Sequence, residues 1–233
     1  MREDDPAPSS RKRWGAVNND TQTTATRAER PATFTWQPPF WLVVAVVFLL
    51  TLLVRVYVLG VYGIPSSSME STLNPGDRVI VSKWSGGSGI ARGDIVVFDG
   101  ESTFGPVPGA ESGPVEKLLG KLEGHEPRSV YVKRVIGVGG DRIVCCDAGG
   151  KITVNGKAIN EPYVYAGNPP SEQKFDITVP PGRLWLMGDH RSQSADSRAH
   201  LGSPGGGTVA VDDVIGPVMF RYWPLNRIGA VGS

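Results

Sequence analysis

The sequence predicts a mainly β protein, an antiparallel β-sheet domain tethered by one N-terminal transmembrane helix. Three observations predict it. One long apolar run lies near the N-terminus, from Phe40 to Tyr62. Downstream of it, short apolar runs recur between turn residues, with no second long run. Thirty glycines and nineteen prolines in 233 residues suit many turns better than long helices.

The apolar run reads FWLVVAVVFLLTLLVRVYVLGVY, with a single charge at Arg55. A membrane span needs roughly 20 apolar residues, because about 1.5 Å of rise each must cross ~30 Å of hydrocarbon. A cleavable secretory signal has a shorter apolar region, ~7–15 residues, nearer the start of the chain. Here 39 residues precede the run and no Ala-x-Ala site follows it. The prediction is an uncleaved anchor over 38–62. Tyr57 and Tyr62 suit an interface. Two placements of Arg55 stay open: the helix ends near Val54, or it continues with Arg55 snorkelling to the headgroups. The preceding segment, 1–37, is rich in Asp, Asn, Thr and Pro and poor in large apolar residues, the composition of a disordered tail. Arg2, Arg11, Lys12, Arg13, Arg27 and Arg30 favour a cytoplasmic position for it. Residues 63–233 then form an extracytoplasmic domain.

Within that domain the segments 77–84, 93–100, 129–138, 141–146, 151–157, 183–189 and 214–223 read as strands. Asn155-Gly156 is a hairpin turn signal. A Gly/Pro-rich stretch at about 101–127, holding the helical candidate VEKLLGKLEG, reads as an insertion. The formal charge of +1 argues neither for nucleic acid nor for an acidic substrate. Cys145 and Cys146 are adjacent. Neighbours in a strand point to opposite faces, so two reduced or separately buried thiols are expected, with a vicinal bridge as the alternative.

Several chemistries find no support. His125, His190 and His200 lack metal-ligand spacing, and the cysteines have no CxxC partner, so no metal is expected. The glycine-rich stretches near 86–89 and 205–207 lack a P-loop Lys-Ser/Thr. Asp189-His190 has no G-x-S-x-G elbow to serve. Ser171 to Lys174 matches S-x-x-K by count alone, in a polar loop without the companion motifs of that class.

Four segments remain, in order: IPSSSMESTLNPGDRVIVSK (64–83), YVKRVIGVGGD (131–141), GDHRSQSADSR (188–198) and FRYWPLNRIG (220–229). Together they resemble the bacterial type I signal peptidases, serine–lysine proteases, over roughly residues 40–230. Departures fall at Ser71, where proline is usual, and at His190, Ser192 and Gln193, which replace Asn, Asp and Asn. These bear on loop conformation and on bonds around the site.

The resemblance implies a signal-peptidase-like β-domain at the cell membrane, with Ser68 as nucleophile and Lys133 as general base. It implies that Ser66 and the Ser68 backbone N–H stabilise the oxyanion and that Ser194 orients the Lys133 amine. Arg134 with Asp189, and Asp196 with Arg198, would brace the site as ion pairs. Met69 is read as packing and Asp141 as a turn residue. Tyr62, Ile64, Tyr131 and Val132 would wall the substrate pockets. The implied partners are preprotein signal peptides, cut after Ala-x-Ala, and membrane lipid; no cofactor, metal or nucleic acid is implied.

The chemistry sets a condition. A lysine is a base only when neutral, and its free pKa of ~10.4 leaves it charged near pH 7. Burial can lower it by several units. Alternation puts Tyr131, Lys133 and Val135 on one strand face, an apolar flank; a lone strand lysine can equally be an exposed edge charge. Two rival readings stand beside the protease. One is a self-cleaving repressor type, which carries a DNA-binding module. The other is a tethered β-domain that binds peptides without cutting them.

Overall fold

The computed structural model describes residues 38–105 and 129–231. The tail 1–37 and the helical candidate VEKLLGKLEG lie outside the described residues.

Helix α1 (Phe40–Tyr57) carries the apolar run, and its large side chains face outward, among them Phe40 at 84%, Trp41 at 68% and Phe48 at 70% exposed. The run divides at Val58. The segment expected as helix to Tyr62 instead becomes strand β1 (Leu59–Gly63), paired antiparallel with β2 (Arg78–Ser82) from Leu59↔Ser82 to Gly63↔Arg78. A sheet ladder satisfies the same backbone groups as a helix, and pairing with β2 overrides hydropathy here. At 1.5 Å per residue α1 spans about 27 Å. Among the described residues no helix is long and apolar enough to cross a membrane.

The remaining strands are β3 (Ile95–Asp99), β4 (Val130–Val138), β5 (Arg142–Cys145), β6 (Thr153–Val154), β7 (Lys157–Ala158), β8 (Phe175–Thr178), β9 (Arg183–Met187), β10 (Val209–Ala210), β11 (Val214–Trp223) and β12 (Gly229–Ala230). A short helix α2 (Glu101–Phe104) follows β3. The larger sheet runs β1-β2-β11-β3-β4-β9-β10, with β12 on β11, and the smaller runs β7-β6-β5-β8. Every pairing is antiparallel. Asn155 at φ +52° and Gly156 at φ +77° turn the β6–β7 hairpin, as the primed turns of two-residue loops require.

Strand β3 shows why its sequence reads as an unbroken apolar run. Ile95 and Val97 join one core cluster, with Met69, Leu73, Val79 and Val81. Val96 and Phe98 join another, with Val135, Leu184 and Leu186. The sheet is buried on both faces, so alternation produces no polar residue. The sheet also curls, which brings distant strands together. β1 and β4 are four places apart in strand order, yet Ile64, just beyond β1, shares a cluster with Val132 of β4. A third cluster, with Ile143, Phe175 and Trp185, lies between β9 and the smaller sheet.

The adjacent cysteines form a vicinal disulfide, Cys145–Cys146, which corrects the expectation of two separate thiols. Strand alternation does not govern the pair, because β5 ends at Cys145. Asp141 binds the neighbouring segments together: it accepts from the Val138 N–H, from Asn155 Nδ2 and from the Arg92 guanidinium.

A candidate serine–lysine active site

Ser68 occupies a single 3-10 turn, Ser67–Met69. The Met69 side chain, 1% exposed, anchors this turn in the first core cluster, and Leu73 N–H donates back to the Met69 carbonyl at 2.7 Å. Lys133 stands opposite Val96 of β3, at the last β4 position before pairing with β9 begins at Arg134. At that break in the ladder its amine reaches the turn: Nζ donates to Ser68 Oγ at 2.7 Å. Ser66 Oγ lies 3.3 Å from Ser68 Oγ.

Lys133 is 4% exposed, and burial pushes its amine down to about 8. Asp196 and Asp189 pull the other way, and Arg198 adds to the lowering. Burial wins because each carboxylate already holds a guanidinium in a two-pronged contact. Arg134 donates to Asp189 through Nε and Nη2, both at 2.8 Å. Arg198 donates to Asp196 through Nε at 2.9 Å and Nη2 at 2.8 Å. A neutralised pair projects little field onto a third charge, whereas removal from water penalises an ammonium in full. Burial alone would raise the Asp196 carboxyl; Arg198, the Gly188 N–H and the nearby Ser194 hydroxyl hold it below the usual range.

The loop after β9 closes around the turn. His190 N–H donates to the Ser68 carbonyl at 3.1 Å and Gly188 N–H to Asp196 Oδ2 at 2.9 Å. Ser194 Oγ lies near enough to favour the Asp196 anion, yet it is buried and meets no hydrogen-bond partner of normal geometry. No bond joins it to Lys133, the contact that the resemblance implied.

Residues 38–223 match the family described as signal peptidase, peptidase S26. The chain belongs to this family. It is a signal peptidase hydrolase, as its relatives are. The Signal peptidase I of Mycobacterium tuberculosis is 34% identical over 92% of this chain and 82% of its own. The Signal peptidase I T of Bacillus subtilis is 30% identical over 79% of this chain and 84% of its own. A solved signal peptidase I of Enterococcus faecalis aligns with 55% of this chain and 95% of its own at 22% identity, with a TM-score of 0.36.

Within this family member, the residues singled out by sequence divide into three groups. Ser66, Ser68, Lys133, Arg134, Asp189, Ser194, Asp196 and Arg198 meet around one turn and one loop, Ser194 without a bond to Lys133. Tyr62, Ile64 and Val132 pack together in the first cluster. Tyr131 goes elsewhere. It stacks on Phe98 at 5.8 Å, meets Phe104 edge-on at 5.4 Å, and its hydroxyl donates to the Gly105 carbonyl at 3.0 Å, so it packs in a different cluster from the other three wall candidates.

Sequence reasoning missed Thr72, Gly188, and the pair Glu70–His190. Thr72 Oγ1 donates to Asp189 Oδ2 and accepts from Arg134 Nη2 at 3.2 Å. Gly188 has no room for a side chain: an added Cβ would come within 2.3 Å of Ser194 Oγ and 2.4 Å of the Ser68 carbonyl. His190 Nδ1 lies 3.1 Å from Glu70 Oε2, and its ring stacks on Tyr165 at 4.1 Å. Thr72 and Gly188 lay inside the motifs and offered a signal. Glu70 and His190 lay inside the motifs too, and His190 stood out there as a departure, but only the fold brings them to each other and to Tyr165.

Proposed function

We propose that this chain is a membrane-anchored serine endopeptidase that removes N-terminal signal peptides from exported preproteins, cutting after Ala-x-Ala-like sites. The observation that carries this reading is the 2.7 Å contact between Lys133 Nζ and Ser68 Oγ, made by an amine that burial brings to about 8. A fraction of such amines is neutral near pH 7 and able to take the hydroxyl proton.

In the proposed cycle Lys133 accepts the Ser68 proton as Oγ attacks the scissile carbonyl carbon. The negative charge that develops on the carbonyl oxygen is met by the Ser68 backbone N–H and the Ser66 hydroxyl. Collapse breaks the C–N bond, and the Lys133 ammonium returns its proton to the leaving amine. Water then attacks the Ser68 ester, giving its proton to Lys133, and Oγ leaves with that proton. The pairs Arg134–Asp189 and Asp196–Arg198 are assigned to hold the loop against the strand, and Ser194, which makes no bond to the amine, is given no role in orienting it.

The signal peptide is assigned an extended course past Tyr62–Ser66 and Val132–Lys133. Backbone hydrogen bonds there supply affinity, and small pockets bounded by Tyr62, Ile64 and Val132 select small residues. The anchor is the apolar run from Phe40, whose outward-facing side chains find no packing in the β-domain. The N-terminal tail is placed in the cytoplasm and the β-domain outside it, at the bacterial cell membrane. The test is cleavage of a peptide bearing an Ala-x-Ala junction by full chain in detergent. Cleavage after the final Ala, abolished in both Ser68→Ala and Lys133→Ala, is expected. Processing that persists in either variant overturns the dyad.

A further inference from the structure

A cavity of about 410 Å³ lies beside the turn that follows Ser68, with Ser71, Thr72, Arg134, Tyr163, Arg221 and Ala230 in its lining. Its ion pairing is uneven. Three carboxylates touch the lining residues, and each is held by an arginine: Asp189 by Arg134 at 2.8 Å, Asp77 by Arg227 at 2.9 Å, and Glu161 by Arg191. Glu70, next to Ser71, turns its carboxylate to His190 Nδ1 instead. Arg221 is a fourth arginine. It approaches Asp77 only at 3.7 Å, while its Nε and Nη1 donate to the carbonyls of Arg227 and Thr72 at 2.6 and 2.8 Å. One positive charge therefore has no close carboxylate of its own.

The guanidinium sits in an uncomfortable place. Burial and the neighbouring Arg227 both disfavour its charge, and Asp77 only partly offsets them. Among the hydroxyls, Thr72 donates to Asp189 and Tyr163 to Glu161, which leaves Ser71 as the donor still available. Ser71 has φ +92°, a conformation that non-glycine residues seldom adopt and that recurs at ligand clamps. Next to Arg221 on β11, and just beyond it, lies an apolar belt: Met219, Phe220, Trp223, Leu225 and Ile228 are 54%, 36%, 47%, 69% and 50% exposed. A cation bordering exposed aromatic and aliphatic side chains suits a ligand that is anionic at one end and apolar at the other.

We propose that this cavity binds a singly charged phosphodiester, with the Arg221 guanidinium as its charge partner and the Ser71 hydroxyl as a hydrogen-bond donor. A phosphodiester matches the single unmatched charge, and the volume leaves room for a substituent on the phosphate. The same chemistry comes from a phospholipid headgroup or from a soluble diester. The apolar belt favours the lipid.

Binding is read without turnover, so the inference stands or falls separately from the proteolytic reading. The full chain in a neutral detergent is titrated with dihexanoyl-phosphatidylglycerol, with its deacylated headgroup glycerophosphoglycerol, and with acetate at matched ionic strength, following the shift in melting temperature. Arg221→Gln would also remove the bonds to Arg227 and Thr72, so the informative variant is Ala230→Glu. It places a carboxylate in the lining from an exposed position whose strand pairing uses only backbone. Saturable binding of the phosphodiester is expected, at least about tenfold weaker in Ala230→Glu and unchanged in Ala230→Gln. Saturation by the lipid alone assigns the membrane as source, and equal saturation by the headgroup assigns a soluble diester; either supports the site. Three results overturn it: no saturation by either diester, equal affinity in Ala230→Glu, or acetate saturating as well as the diesters, which would mark a carboxylate site for an acidic polypeptide segment.

Discussion

Gly188 and Ser194 approach so closely that a methyl group on Gly188 would stand 2.3 Å from the Ser194 hydroxyl oxygen. The same methyl would press on the Ser68 carbonyl at 2.4 Å. The glycine is thus where the loop after β9 meets the Ser68 turn, and neither neighbour is the flexible end of a long side chain. Gly188→Ala must push the turn and the loop apart by roughly 1 Å to restore ordinary contact. Displacement of that order in a reacting pair costs roughly 10²-fold in rate. The expected outcome is a loss of about that size in kcat, with the far-ultraviolet circular dichroism of the β-domain retained.

Activity should depend on pH through Lys133. Its amine, pushed down to about 8 by burial, is a base only when deprotonated. Below that value each pH unit removes about 90% of the competent form, so kcat/KM should rise tenfold per unit up to a midpoint near 8 and then level. A profile of kcat/KM from pH 6 to 10 checks this. A flat profile would take the proton-accepting role away from Lys133.

The same shift has a cost in stability. A free lysine titrates at 10.5 and this one at about 8. As pH falls from 10.5 to 8, the unfolded chain takes up a proton that the folded protein does not, and stability declines. Below 8 the penalty is complete, about 3 kcal/mol for a shift of this size. Lys133→Met keeps the length and removes the charge, and forfeits about 1 kcal/mol with the Ser68 hydrogen bond. We expect the inactive variant to be more stable than wild type by about 2 kcal/mol at pH 7, and the gain to vanish above pH 10.5. Urea unfolding at both pH values measures it.

Local patterns carried much of this architecture, and distance in the chain set the limit. Ile95 to Phe98 is legible as strand because four apolar residues lie between turn signals, and Asn155-Gly156 is legible because only such a pair fits its turn. Ser68 and Lys133 stand 65 residues apart, and spacing alone does not join them; the order of the motifs does. The split of the apolar run at Val58 is hard to read, because apolar residues continue across it into LGVYG and only pairing with β2 makes that segment a strand. β10 and β12 are two residues long and exist through their partners. Tyr131 follows the alternation, yet which cluster it enters depends on Gly100, where a Cβ would sit 2.3 Å from its ring. The disulfide turned on where β5 ends, a boundary that pattern reading places only to within a residue or two.

Asp189 offers a test in which stability and catalysis move together for one electrostatic reason. Its carboxylate is fully buried, holds Arg134 through two contacts, and accepts from Thr72 Oγ1. Asp189→Asn keeps the shape and removes the charge, leaving the Arg134 guanidinium, 1% exposed, without its counter-ion. Breaking one side of a buried pair costs about 3–5 kcal/mol, and urea unfolding should show a loss of that order. The Asp189 charge also raises the Lys133 amine against the effect of burial. With that charge gone and Arg134 uncompensated, the amine falls further. The rising limb of kcat/KM should therefore move to lower pH in the variant even as its melting temperature drops. A stability loss with an unmoved limb would mean that Asp189 supports the frame and has no hold on the base.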